Sequence, residues 1–217
     1  VAAVALIAGG AFFFLTKDDD KKDDDKQVAD SGGTTGGTTG GDNGDNGDQP
    51  PAEDNTKYKL TAPKTVGEFK QVGTPQTEEM PKKDQDTYRV SNATQILALY
   101  STTGNTSVGT GGKAAQFVGA WGDISDPQHV VDTLMNELSS DGGGKVSDPE
   151  EKKLPGMENA VMKCAQGPKG TACVWAESST MAMVVSSAQG SGSAQPTSLD
   201  EAAQITADFY KAIRQPL

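Results

Sequence analysis

Near its C-terminal end the chain carries three apolar runs close together. Residues 160–185 read AVMKCAQ, GPKG, TACVWAE, SST and MAMVV. Two apolar runs split by a turn, and a third after a short polar break, predict a strand hairpin and a following strand. With the turn centred on Pro168 and Lys169, Cys164 falls opposite Cys173 and Met162 opposite Trp175, all on one side of the hairpin. A four-residue loop over residues 167–170 preserves that opposition. Opposed strand residues lie within disulfide range, so the register predicts a Cys164–Cys173 bridge with a Trp and a thioether beside it.

Upstream, residues 94–100 (TQILALY) are apolar on both faces and predict a central strand. Residues 113–121 predict a second, with Phe117 and Trp121 on one face and Val118 and Ala120 on the other. Residues 58–61 alternate and predict an edge strand stopped by Pro63, and residues 66–72 are weakly structured. Residues 74–86, polar and with two prolines, read as a loop, as do 101–112, 145–153 and 190–196.

Two stretches switch to helical spacing. Asp126-Pro127 is a cap followed by proline at the first helical position, and Val130, Leu134 and Leu138 repeat with Val131 and Met135 alongside until glycines 142–144. Ser198-Leu199-Asp200-Glu201 is a capping box opening a helix with Ala202, Ile205, Phe209 and Ile213 on one face. Lys211 and Arg214 suit its C-terminal end, and Pro216 stops it. The order predicts an α+β domain: a twisted antiparallel sheet of about five strands with two helices packed on one face.

The first 56 residues are different in kind. From Val1 through Leu15 the chain is VAAVALIAGGAFFFL, apolar or glycine throughout. Read as the end of a longer apolar segment, residues 1–16 form a transmembrane anchor; the alternatives are a cleaved signal peptide and a buried helix. Residues 17–56 run through KDDDKKDDDK, GGTTGGTTGG and DNGDNGD with almost no large apolar side chain, which predicts a disordered linker. Residues 57–217 are then the folded domain. Lys17, Lys21, Lys22 and Lys26 favour a cytoplasmic position for the chain beyond the anchor, whereas a stable disulfide favours an extracytoplasmic one. The cysteine argument is the stronger and gives a single-pass membrane protein with its C-terminal domain outside the cytoplasm.

Charge changes the picture only by its location. Of 30 acidic and 19 basic residues, 12 and 4 lie in 17–56, so the acidity belongs to the linker. No dense basic patch exists, which argues against nucleic acid as a partner. The Asp-Asn-Gly repeat lacks the spacing and closing Glu of an EF-hand loop. His129 is the only histidine, too few for a zinc site once both sulfurs are in a bridge. Residues 105–113 fit a phosphate loop poorly, with Ser107 at the first glycine position and Ala114 where magnesium needs a hydroxyl. No G-x-S-x-G elbow is present. The sequence therefore assigns no catalytic, cofactor or metal residues. Trp121, Trp175, Asp123 and Glu177 are the candidate lining of a ligand groove, weighed against a core role for the tryptophans.

The runs FVGAWGDISDPQHVVDTLM, MKCAQGPKGTACVWAESSTMAMVV and EAAQITADFYKAIRQ resemble a group of uncharacterised membrane-anchored proteins of high-GC Gram-positive bacteria. The resemblance covers most of residues 90–214, with Met181-Ala182-Met183 standing where small residues or valine are expected. It implies one transmembrane helix, a low-complexity linker and an extracytoplasmic α+β domain, and it brings no catalytic residues. The function expected is non-enzymatic binding or sensing at the cell envelope, with an envelope ligand or a membrane protein as partner. The alternatives are a structural envelope component and a hydrolase using Asp123, Asp126 and Glu177.

Overall fold

The run TACVWA at Thr171–Ala176 is buried at every position. Cys173 and Trp175 enter one apolar cluster, and Ala172, Val174 and Ala176 enter another. A strand apolar on both faces needs a covering layer on each side. The two helices expected on one face accordingly lie on opposite faces of the sheet, a correction that the double-sided pattern of this strand explains.

The structure is a computed structural model and describes residues 56–106, 111–140, 146–168, 170–190 and 193–217. The anchor expected at 1–16 and the linker at 17–56, Thr56 apart, lie outside the described residues. In chain order the elements are β1 (Tyr58–Leu60), β2 (Thr65–Val66), β3 (Phe69–Glu79), α1 (Lys82–Tyr88), β4 (Val90–Ser101), β5 (Lys113–Ile124) and α2 (Pro127–Ser140). They continue with β6 (Glu150–Glu151), β7 (Val161–Gln166), β8 (Thr171–Ala176), β9 (Thr180–Gln189), β10 (Ala194–Pro196), α3 (Leu199–Ile213) and β11 (Arg214–Pro216).

Among the described residues the fold is α+β, with a nine-stranded antiparallel sheet ordered β2-β3-β4-β5-β9-β8-β7-β6 and β10 paired to β9. The sheet is larger than the five strands expected. A separate two-stranded sheet joins β1 to β11. On one face α3 packs Phe209, Tyr210 and Ile213 against Phe117, Trp175 and the Cys164–Cys173 bridge. On the other, α2 packs Val130, Val131, Leu134 and Met135 against Val174, Met181 and Met183. Met181 and Met183, unexpected by the resemblance, thus lie under α2.

The cysteine hairpin has the register expected. Gln166 pairs with Thr171, Cys164 with Cys173 and Met162 with Trp175, leaving residues 167–170 as the connection. The sulfurs are bonded at 2.05 Å and both cysteines are fully buried.

The extra elements are the polar ones. β3 pairs with β4 along most of its length, but β2 covers only Phe69 and Lys70 on its outer side. The exposed remainder carries Gly73 and Pro75 in a bulge and then Glu78 and Glu79, which keeps a bare edge from pairing with another chain. α1 has one buried residue, Tyr88, so no stripe betrays it; Gln85 Nε2 donates to Met80 O at 2.7 Å to hold it. β10 and β11 are three-residue additions where a loop and a helix stop were expected.

Candidate functional site

A phase change in β4 starts the site. Val90 and Ala93 are both buried on the α2 side, an odd spacing that strict alternation forbids. The ladder with β5 shifts between Ser91 and Thr94, a β-bulge. Asn92 sits in the bulge at φ 53°, left-handed geometry that asparagine tolerates better than most residues. Three residues earlier Arg89 caps α1 in the same region, at φ 54°. Opposite the bulge is Gly122, where a Cβ would lie 2.5 Å from Ser91 O, so the two backbones meet too closely for any side chain. Left-handed non-glycine residues, a bulge and an obligatory glycine therefore gather at one end of the β4–β5 ladder, and such outliers concentrate at functional sites.

The result is a cleft of 460 Å³ lined by Arg89, Val90, Ser91, Asp123, Ile124, Ser125 and Ser178. Ser178 is brought there by the β8–β9 turn, because Ile124 N–H donates to Ser178 O and Gly122 N–H to Ser179 O, each at 3.0 Å. Ser91 and Asp123 face each other across the ladder. Ser125 Oγ donates to Arg89 O at 3.1 Å and closes the end of the pairing.

The rim charges alternate in sign. Asp123 accepts from Lys57 Nζ at 2.5 Å and from Asn92 Nδ2 at 3.1 Å. The hydrogen bond from Lys57, then that from Asn92, hold its carboxyl below the usual range. Arg89 Nη1 donates to Asp126 Oδ2 at 2.8 Å, and Asp126 Oδ1 accepts from His129 N at 3.0 Å as the cap of α2. Both ion pairs are well exposed, with 63% and 48% of the Lys57 and Asp123 side chains and 55% and 39% of Arg89 and Asp126 open to solvent. Such pairs are screened by solvent and are readily exchanged. Among the described residues the exposed Ser91 and Ser178 side chains have no hydrogen-bond partner.

Of the expected groove residues, only Asp123 lines this cleft. Trp175 is a correction: it is fully buried, stacked near Phe117 with ring centroids 6.5 Å apart and edge-on to Tyr210 at 5.8 Å. A large apolar ring on a double-sided strand belongs to the core. Trp121 is half-buried against the same α3-side cluster. Glu177 is the second correction. It is 5% exposed and turns inward, accepting from Thr180 Oγ1 at 2.6 Å, Tyr210 OH at 2.8 Å and Arg214 Nη2 at 2.9 Å, with Arg214 Nε also 2.9 Å from Oε1. Arg214 is clamped between the Tyr58 and Tyr210 rings, at 3.7 and 4.0 Å from their centroids. Burial first, then the neighbouring carboxylate, push the Tyr210 hydroxyl far above its ordinary range.

These contacts make Glu177 a clasp that ties β1 and β11 to the sheet. Asp123, Asp126 and Glu177 each have their own hydrogen-bond partners and share none. His129 Nε2 lies 3.0 Å from Thr87 O, tying α2 to α1.

Arg89, Ser91, Asn92, Ser125 and Ser178 escaped the sequence reading. The broken alternation at Val90 and Ala93 was a signal for the bulge; nothing marked Ser178, which reaches the cleft only through the β8–β9 turn. Among the described residues no group of His, Cys, Asp and Glu has the arrangement of a metal site, and no helix is long and apolar enough to cross a membrane. Comparison with family models, curated proteins and solved structures finds no match to this chain.

Proposed function

We propose that residues 57–217 form an extracytoplasmic domain, held to a membrane by residues 1–16 through the spacer 17–56, that binds or senses a ligand at the cell envelope without catalysing a reaction. The observation that carries this reading is the cleft at the end of the β4–β5 ladder, with two half-exposed rim charges of opposite sign and two uncommitted hydroxyls. Convergent polar groups on a rigid sheet are what a recognition site requires. The buried cystine supports an oxidising compartment. A structural role through apolar docking has less support, because among the described residues only Leu99 and Leu217 are exposed large apolar side chains.

A thermal-shift screen of the full chain against sugars, peptides, polyols and metal ions tests the reading. A ligand that binds only the folded state raises the melting temperature, and the rise should vanish in Arg89→Gln. A screen with no shift, or shifts unchanged by that variant, would reject the cleft as the site.

A further inference from the structure

We propose that the cleft recognises a short zwitterionic peptide, its carboxylate held by Arg89, its ammonium by Asp123 and its amide by the hydroxyls of Ser91 and Ser178. The inference rests on the reading of the cleft as a binding site and adds the ligand class.

Three observations converge on that class. The first is charge. The rim holds Lys57 and Arg89 against Asp123 and Asp126, which sum to zero. A polyanion or a polycation meets as much repulsion as attraction there, whereas a ligand carrying both signs meets a complementary group at each end.

The second is position. Ser91 pairs with Asp123 and Val90 with Ile124, and Ser125 Oγ donates to Arg89 O just past the last pair, so a cationic and an anionic side chain flank the same end of the ladder.

The third is unused bonding capacity. Among the described residues only Nη1 of Arg89 has a partner, although a guanidinium carries five N–H donors and pairs side-on with carboxylates. Ser91 and Ser178 line the same cleft and each offers a donor and acceptors to a peptide group. The volume of 460 Å³ is at the small end of ligand pockets, which run ~300–1,000 Å³.

Diglycine is the probe. Titrated into the full chain by isothermal calorimetry, it should bind with a Kd of ~1 mM or tighter. N-acetyl-diglycine and diglycine amide each lose one charge and should each bind at least ~10-fold more weakly. Arg89→Gln should make diglycine and its amide equivalent, and Asp123→Asn should do the same for diglycine and its acetylated form. Lys153→Gln, an exposed change in a different ion pair, should alter nothing. No heat with diglycine up to ~20 mM, or equal binding of the blocked peptides, would overturn the proposal. If a neutral sugar binds instead and Arg89→Gln abolishes it, the cleft remains a binding site and the zwitterion is rejected. If nothing binds and no variant matters, both readings fall together.

Discussion

Arg89 is costly as a backbone and useful as a side chain. It holds a left-handed φ of 54° at the end of α1, where glycine is the ordinary choice. A non-glycine residue there costs ~1–2 kcal/mol, and its exposed ion pair with Asp126 returns ~0–1 kcal/mol. Arg89→Gly should therefore leave stability within ~1 kcal/mol of the parent in urea unfolding while removing any ligand-dependent shift in melting temperature. A loss of several kcal/mol would mean that the guanidinium holds the fold and not a ligand. Gly122 shows the opposite economy, since only the missing Cβ lets β5 approach Ser91.

At the scale of elements, the clasp is what turns the separate β1–β11 pair into part of the domain. β1 lies across the sheet with Leu60 filling the notch at Gly119, where a Cβ would come within 2.6 Å of Leu60 Cδ1. Glu177 and Arg214 then fasten β11 to the β8–β9 turn. Removing one partner of a buried pair costs ~3–5 kcal/mol because the other charge is left uncompensated. Glu177→Gln should lose about that much in denaturant unfolding, and adding Arg214→Met should recover part of it. Additive losses would show that the two side chains are not coupled. The clasp was poorly legible in sequence because Arg214 reads as an ordinary basic residue at a helix end. Its partner lies 37 positions away, and only the packing of α3 over β8 and β9 brings them together. The cystine was legible for the converse reason, since nine positions and one turn fix both sulfurs. The helix faces were misjudged although TACVWA already carried the double-sided pattern.

The whole molecule should respond to reduction and to pH in defined directions. The cystine closes a loop of sequence separation 9, worth ~2.5–3 kcal/mol by chain entropy. Reduction should lower the melting temperature without unfolding the domain, because Trp175 and both long helices still bury apolar surface. Two reactive thiols in denatured, unreduced protein taken from its host would remove the main support for an extracytoplasmic location. Asp123, Asp132 and Asp200 are held low chiefly by hydrogen bonds from Lys57, Lys163 and Lys152, and Glu158 by a backbone N–H. A carboxylate with a lowered folded pKa contributes stability above its unfolded value and loses it as pH falls through the folded one. Stability should therefore decline as pH drops below ~4. Tyr100, pushed up to about 12 by burial, and Tyr210 have the opposite sign: their contribution is intact below pH ~10 and fades above it. Melting temperatures from pH ~3 to ~11 should trace a plateau with both shoulders. A flat acid side would refute the carboxylate assignments.

The pairing of β1 with β11 also has a mechanical consequence. Any tension transmitted along the chain from residues before Thr56 reaches the folded body first at β1. The pair is antiparallel, with Tyr58 opposite Pro216, and Leu217 N–H donates to Lys57 O at the end where the load arrives. A pull there opens those bonds one after another, like a zip. The Tyr58 ring on Arg214 and the Tyr58 N–H on Ser179 Oγ resist at the start, and the unzipping ends at Thr61, whose N–H donates to Ile213 O. Beyond that point the same pull works against the cystine-locked sheet. A short first stage in series with a longer second one is the layout of a shock absorber, and its first movement takes Lys57 away from Asp123 at the rim of the cleft.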